Sequence, residues 1–289
     1  MKNRLAEKAK VLQENLSRCT LCPRRCGVNR LAGQKGYCGT GARPVISSFG
    51  PHFGEESVLV GHGGSGTVFF TGCNLRCVYC QNYDISQLHQ GEEFPVEALA
   101  EIFLRLQARG CVNINLVTPT HQIAAIVPAL LKAKDEGLHL PIVYNTGGYD
   151  LPETLEMLDG LIDIYMPDMK YADSSAAAHY SDAPDYPQVN QAAVRRMHRQ
   201  VGDLVIENGL AVRGLLIRHL VLPGNLAGSE QIFDFLAERI SPHTAVNVMD
   251  QYHPCFRADE HPPLNRRPTK SEYETALACA RRKGLRLIQ

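Results

Sequence analysis

The sequence predicts an α/β fold: a partial, TIM-like (β/α)6 barrel with a small N-terminal cysteine-rich segment. Three observations predict it. From residue 67 onward, apolar runs of strand length alternate with longer runs of helical periodicity, giving six strands. Such alternation implies a parallel sheet with helical crossovers. The polar residues capable of chemistry cluster just after strands, at the end where β/α barrels carry their reactive groups. A continuous-sheet dinucleotide fold, the architectural rival, would carry Gly-x-Gly-x-x-Gly after an early strand, and that motif is absent there.

Taken in order, residues 3–17 place Leu5, Ala9, Leu12 and Leu16 at helical spacing, so an amphipathic helix opens the chain. Residues 44–66 read as loop, with Gly61, Gly63, Gly64 and Gly66 turning into the barrel. That glycine loop lacks the Lys-Ser/Thr ending of a phosphate-binding loop and precedes a strand rather than a helix. His52 and His62 read as solvated loop histidines. Strand one is Thr67 to Phe70. A helix follows Pro95, with Val96, Leu99, Ile102, Phe103 and Leu106 as its stripe and Gly110 as its stop. Strand two is Asn113 to Val117. The next helix runs from Ile123 to Glu136, where Pro128 marks a kink or a start. Pro141 to Asn145 and Leu161 to Met166 are strands three and four, with a short helix from Pro152 to Leu158 between them. A helix over Val189 to Val201 leads to strand five, Val212 to Leu222. Ser229 to Ile240 is helical, and Ala245 to Met249 is strand six. Thr269 and Glu272 have capping-box spacing for a last helix, and Leu285 to Ile288 reads as a terminal strand. Residues 1–50 thus form a helix and a cysteine segment, and residues 51–289 the barrel with its C-terminal helix.

Composition excludes several classes. Lys+Arg and Asp+Glu are both 30 in 289 residues, so no charge excess points to nucleic acid or an anionic membrane surface. No apolar run reaches the ~18 residues of a spanning helix, and the N-terminus has no apolar signal core. The expectation is a cytoplasmic protein without membrane or nucleic-acid partners. Ten cysteines in such a chain suggest metal rather than disulfides.

Two cysteine groups carry the chemistry. Cys73, Cys77 and Cys80 stand at C-x3-C-x2-C on the loop leaving strand one, with Tyr79 directly before the last. Thiolates are soft ligands for iron–sulfur or zinc. Zinc staples and cubane clusters ordinarily take four protein ligands, so three leave one iron of a four-iron cluster open for chemistry. The alternative is three buried thiols, or a zinc site completed from elsewhere. Earlier, Cys19, Cys22, Cys26 and Cys38 fall at C-x2-C-x3-C-x11-C, a metal-binding pattern suited to zinc or to a second iron–sulfur cluster. Cys111 and Cys279 sit in apolar runs and read as core. Cys255, after strand six, is placed to line the barrel mouth.

The Cys73–Cys80 segment resembles the signature of the radical S-adenosylmethionine (SAM) enzymes, C-x3-C-x-aromatic-C. The resemblance covers roughly residues 50–255 and is strongest to the activases of glycyl-radical enzymes, including the pyruvate formate-lyase activating enzyme group. It implies a six-strand partial barrel and a [4Fe-4S] cluster on Cys73, Cys77 and Cys80. It further implies SAM on the open iron and reductive cleavage to a 5′-deoxyadenosyl radical. That radical would take hydrogen from a substrate: a protein glycine, a peptide or a small molecule. An external one-electron donor such as a flavodoxin or ferredoxin is implied as well. By the same resemblance Tyr79, Asn145, Asp168 and Lys170 contact the cofactors, with Lys170 on the SAM carboxylate. His219 takes the position near the nucleoside, although as a strand histidine it fits a core role equally well. Where family members carry Gly-Gly-Glu-Pro, this chain has Thr118-Pro119-Thr120-His121, a SAM-facing position that lacks the acid. A non-catalytic iron–sulfur electron carrier or scaffold is the rival reading, and the strand-end polar residues argue against it.

Overall fold

Six parallel strands stand in sequence order at the centre of the computed structural model, which describes residues 2–288 and side chains from residue 4. Helix α1 (Lys2–Glu14) precedes the cysteine segment, and strand β1 (Val45–His52) and a one-turn helix α2 (Ser57–Val60) follow it. Then come β2 (Ser65–Phe70), α3 (Tyr83–Ser86), β3 (Glu92–Glu93), α4 (Val96–Ala108), β4 (Ile114–Val117), α5 (Ile123–Asp135) and β5 (Ile142–Thr146). Next are α6 (Pro152–Met157), β6 (Ile164–Pro167), α7 (Ser174–Ser181), α8 (Tyr186–Val201) and the hairpin of β7 (Val205–Glu207) with β8 (Leu210–Leu220). The chain closes with α9 (Ser229–Arg239), β9 (Ala245–Met249), α10 (Lys270–Arg282) and β10 (Arg286–Leu287). The sheet order is β10-β9-β8-β6-β5-β4-β2-β1-β3. Strands β2, β4, β5, β6, β8 and β9 pair in parallel, each with the next. They are the six strands expected from the sequence.

Alternation along each strand sorts side chains to two faces. Val68, Ile114, Leu116, Tyr144, Tyr165, Leu215 and Ile217 pack outward against the helices. The expected stripe on α4 is there: Leu99, Phe103 and Leu106 are fully buried, each contributing ~1.5–3 kcal/mol. Helix α1 joins the same core through Ala9 and Leu12, Leu16 follows from the turn after it, and Lys8 donates to the carbonyls of Glu156 and Asp159. The inner face holds Val143, Ile164, Met166, Leu216 and Ala245.

Two differences from the sequence reading stand out. Residues 45–52, expected as loop, form β1, which runs antiparallel to β2 and extends the sheet past its parallel portion. Gly50 and Pro51 disguise the strand. Pro51 is tolerated because β3 pairs only with Val45 and Ile46, which leaves the rest of that edge open. β1 also runs across residue 50, the expected boundary between segments. Second, α7 was not foreseen; it starts at Asp173, whose carboxylate caps the Ala176 N–H. The capping box at Thr269 and Glu272 is formed as expected.

Candidate active site

The loop leaving β2 turns at Gly72 (φ +84°) and delivers three sulfurs to the upper end of the barrel. Each sulfur has a donor. The Leu75 N–H lies 3.4 Å from Cys73 Sγ, and Ser181 donates to Cys77 Sγ at 3.0 Å. The Ser86 hydroxyl is 3.2 Å from Cys80 Sγ. Burial pushes the Cys73 thiol up to about 12, and Cys77 adds to that rise. Cys80 is pushed up to about 11 by the same two causes. The three sulfurs therefore feel one another, with Cys77 buried and Cys73 and Cys80 half-buried. One cation answers them, because the Lys170 ammonium lies within electrostatic reach of all three.

Lys170 is held rather than free. Its Nζ is 2.6 Å from Asp168 Oδ2, and Arg218 approaches Asp168 Oδ1 at 2.9 Å from the next strand. Burial, the largest single influence, would lower the Lys170 pKa, but the Asp168 carboxylate and Cys77 together outweigh it and the net shift is upward. For Asp168, burial would raise the carboxyl, yet Arg218 and Lys170 hold it below its usual range. Glu55 and Glu56 extend the row of charges on the far side of Arg218. Two residues of α8 fix the backbone around this row. The Tyr186 hydroxyl donates between the carbonyls of Gly147 and Asp168 and accepts from the Lys170 N–H. Asn190 Nδ2 donates to Gly148 and Asp168 carbonyls. At Gly148 (φ +76°) a Cβ would stand 2.2 Å from the Asp168 oxygen, so only glycine fits.

Tyrosines wall the sulfur loop. Tyr79, Tyr149, Tyr171, Tyr186 and Tyr252 are buried in one cluster with Leu75 and Cys77. Tyr171 donates to the Tyr79 hydroxyl at 2.7 Å and lies 2.8 Å from Ser181 Oγ. Asn145, in β5, is on the same strand face as inward-facing Val143. Thr118 leaves β4 with φ +59°, its N–H donating to the Asn145 carbonyl, and Pro119 is buried behind it. The rest of that tetrapeptide turns elsewhere: Thr120 donates to Asp150, and the His121 ring lies against the Thr71 carbonyl. His219 occupies the face of β8 opposite Arg218. It is fully buried between the Met169 carbonyl and Ser229, edge-on to Phe233, which is the core role of its two readings. Cys255 is half-buried, with its sulfur 3.6 Å from His253.

Cys19, Cys22, Cys26 and Cys38 gather in a separate recess, and Arg24 from that segment donates to the Asn74 carbonyl at 2.9 Å. Among the described residues no three Cys, His, Asp or Glu side chains converge closely enough to hold a single metal ion. The Cys73, Cys77 and Cys80 set instead offers three spaced sulfurs, donors to each, and one cation beside them. That donor set fits a multi-iron cluster with one iron left free of protein. Sequence reasoning missed Arg218, Ser181, Tyr171, Tyr186 and Asn190. The first lies inside the run read as strand five, and the turn after β6 together with α7 and α8 brings the others back over the loop from ~100 residues away.

The Radical SAM superfamily matches residues 67–236. An uncharacterised protein of Methanocaldococcus jannaschii is 32% identical over 99% of this chain and 81% of its own length. The pyruvate formate-lyase-activating enzyme of Clostridium pasteurianum is 32% identical over 37% of this chain and 45% of its own. Among solved structures, a radical SAM methyltransferase from Sphaerobacter thermophilus superposes with a TM-score of 0.52 at 15% identity, over 77% of this chain and 65% of that one. No helix among the described residues is long and apolar enough to cross a membrane.

Proposed function

Because the chain belongs to the Radical SAM superfamily, we propose that it is an enzyme in which Cys73, Cys77 and Cys80 hold a [4Fe-4S] cluster with SAM on the fourth iron. When bound, that pair supplies reductive cleavage of the sulfonium and a 5′-deoxyadenosyl radical able to take a hydrogen atom from substrate. The family implies an external one-electron donor.

The chain's own residues bind and orient. Lys170, anchored by Asp168 and beside all three sulfurs, pairs with the SAM carboxylate. Asp168 keeps that ammonium aimed, and Arg218 keeps Asp168 ionised. In this reading Asn145 and the backbone at Thr118 and Pro119 border the same space. With no acid at the Thr118–His121 turn, the SAM amino group is left to backbone carbonyls there. The tyrosine wall excludes water, which would otherwise screen these charges and quench a radical. We propose a protein glycine or a peptide as hydrogen donor, and the partial likeness to an activating enzyme favours the glycine. The observation that carries the reading is the coincidence of three spaced sulfurs with one anchored ammonium at the strand ends.

Anaerobically reconstituted protein with dithionite and SAM tests it. The wild type is expected to release 5′-deoxyadenosine, Cys77→Ala none, and Cys255→Ala still some. Product from Cys77→Ala would refute the cluster ligands.

A further inference from the structure

Outside the site just described stands a second set of thiols. Cys19, Cys22, Cys26 and Cys38 line one recess, and none is in a disulfide. Short backbone hydrogen bonds fold the loop around it: Cys19 N–H to the Val28 carbonyl, Gly27 N–H to the Cys19 carbonyl, Arg25 N–H to the Cys22 carbonyl. Gly36 leaves room for the sulfur of Cys26, which would lie 2.9 Å from a Cβ at that position. Polar hydrogens point at the sulfurs. The Tyr37 N–H donates to Cys26 Sγ at 3.3 Å, and the Thr40 hydroxyl is 3.2 Å from Cys38 Sγ.

An independent observation calls for negative charge here. Arg30 lines the same recess and is 3% exposed. Its guanidinium donates to the carbonyls of Gly41 and His121, to the Thr40 hydroxyl, and towards Cys19 Sγ at 3.8 Å. Among the described residues no carboxylate pairs with it. A buried cation without a counter-charge is expensive. Neutral thiols would leave it so, whereas metal-bound thiolates beside it would balance it.

The choice of metal follows from span. A tetrahedral zinc with ~2.3 Å bonds draws its sulfurs to ~3.8 Å from one another. Among the described residues no three of these sulfurs converge as a single ion would require, and a four-iron cube separates its thiolates further than one ion does. We infer that Cys19, Cys22, Cys26 and Cys38 bind a second [4Fe-4S] cluster, with every iron held by protein.

The recess also touches the signature loop three times. Arg24, two residues beyond Cys22, donates to the carbonyl of Asn74, which follows Cys73. The Cys38 carbonyl lies so close to Gly72 that a Cβ there would be 2.4 Å away. Arg76, one residue before Cys77, donates to the carbonyl of Tyr37, which precedes Cys38. A closed redox centre at this position relays electrons. It takes one from a reduced flavodoxin- or ferredoxin-class donor and passes one to the neighbouring loop, with no bond made or broken and no proton moved. The relay rests on the function proposed above; the metal assignment does not.

The test uses the full chain with the signature cysteines removed. Cys73→Ser/Cys77→Ser/Cys80→Ser, purified without oxygen from iron-supplemented cells, is expected to retain about four irons and four sulfides per chain. After dithionite it should give an electron paramagnetic resonance signal that SAM does not alter. One zinc in place of that iron, or a metal-free chain with its N-terminal thiols titratable, overturns the inference. Cys22→Ser/Cys26→Ser leaves two of the four ligands, fewer than the three on which the signature cluster rests. It should lose about four of the wild type's roughly eight irons and keep the SAM-responsive signal; full iron retention would overturn the inference as well. If wild type shows only the SAM-insensitive signal, the proposed function fails while the second cluster stands.

Discussion

The charge row Lys170–Asp168–Arg218 invites a double-mutant cycle. In Asp168→Asn the carboxylate that separates two cations becomes neutral, while the shape and one acceptor oxygen remain. Breaking a buried pair from one side costs ~3–5 kcal/mol. These side chains are 14–21% exposed, and Glu55 and Glu56 still face Arg218, so the cost falls to the bottom of that range or just below it, ~2–3 kcal/mol. Arg218→Met alone should cost a similar amount by leaving Asp168 with only Lys170. In the double variant the stranded partner is gone. The two costs should therefore not add, with a coupling energy of ~1.5–3 kcal/mol. Urea midpoints at constant slope measure all four corners. The sign with pH follows from the lowered Asp168 pKa. The pair's contribution is complete above the unfolded carboxyl pKa of ~3.9 and is lost as pH falls through the lower folded value. The coupling should be the same at pH 7 and pH 5 and fade only below about 4. Additive single variants, with coupling under ~0.5 kcal/mol, would show that the row is not a unit and that Lys170 is not anchored through Asp168.

Four further outcomes are expected. Ser181→Ala removes a hydrogen bond worth ~0.5–1.5 kcal/mol to Cys77 Sγ, so the potential of a cluster there should fall by ~20–60 mV, read by a spectroscopic redox titration. Gly148→Ala should destabilise by more than the ~1–2 kcal/mol of its left-handed backbone, because it also meets the Asp168 carbonyl. Gly137→Ala (φ +104°, nothing within 4 Å) should show the backbone cost alone, and urea unfolding compares the two. His219 is held down to about 4 by burial. Its share of stability is complete above the unfolded value near 6.5 and is lost as pH falls from there towards 4, on the order of 1 kcal/mol per pH unit. His219→Gln should flatten that slope. Thr269→Ala should cost ~1 kcal/mol through loss of the α10 cap, seen in the same unfolding assay.

The barrel was legible because its strands and crossover helices repeat a pattern that sequence periodicity reports directly. β1 was not, because Gly50 and Pro51 mimic a turn in a strand that lies on the sheet edge. The sulfur set was legible from spacing alone, since one loop supplies it. Asp168 and Lys170 were legible as a pair, but their third partner, Arg218, lies 50 residues away and is brought beside them only by the pairing of β6 with β8. His219 shows the limit of position without facing: adjacent residues on a strand look to opposite sides, and the neighbour that enters the barrel is Arg218. The tyrosine wall had no local signal either, because its members come from the sulfur loop, the turn after β5, the turn after β6, the start of α8 and the segment after β9.

Ser181 is the last residue of α7, and its side chain grips Cys77. The helix is thereby a lever with its short end on a sulfur atom. A displacement of α7 would therefore be felt at a sulfur of the proposed cluster without anything entering the barrel.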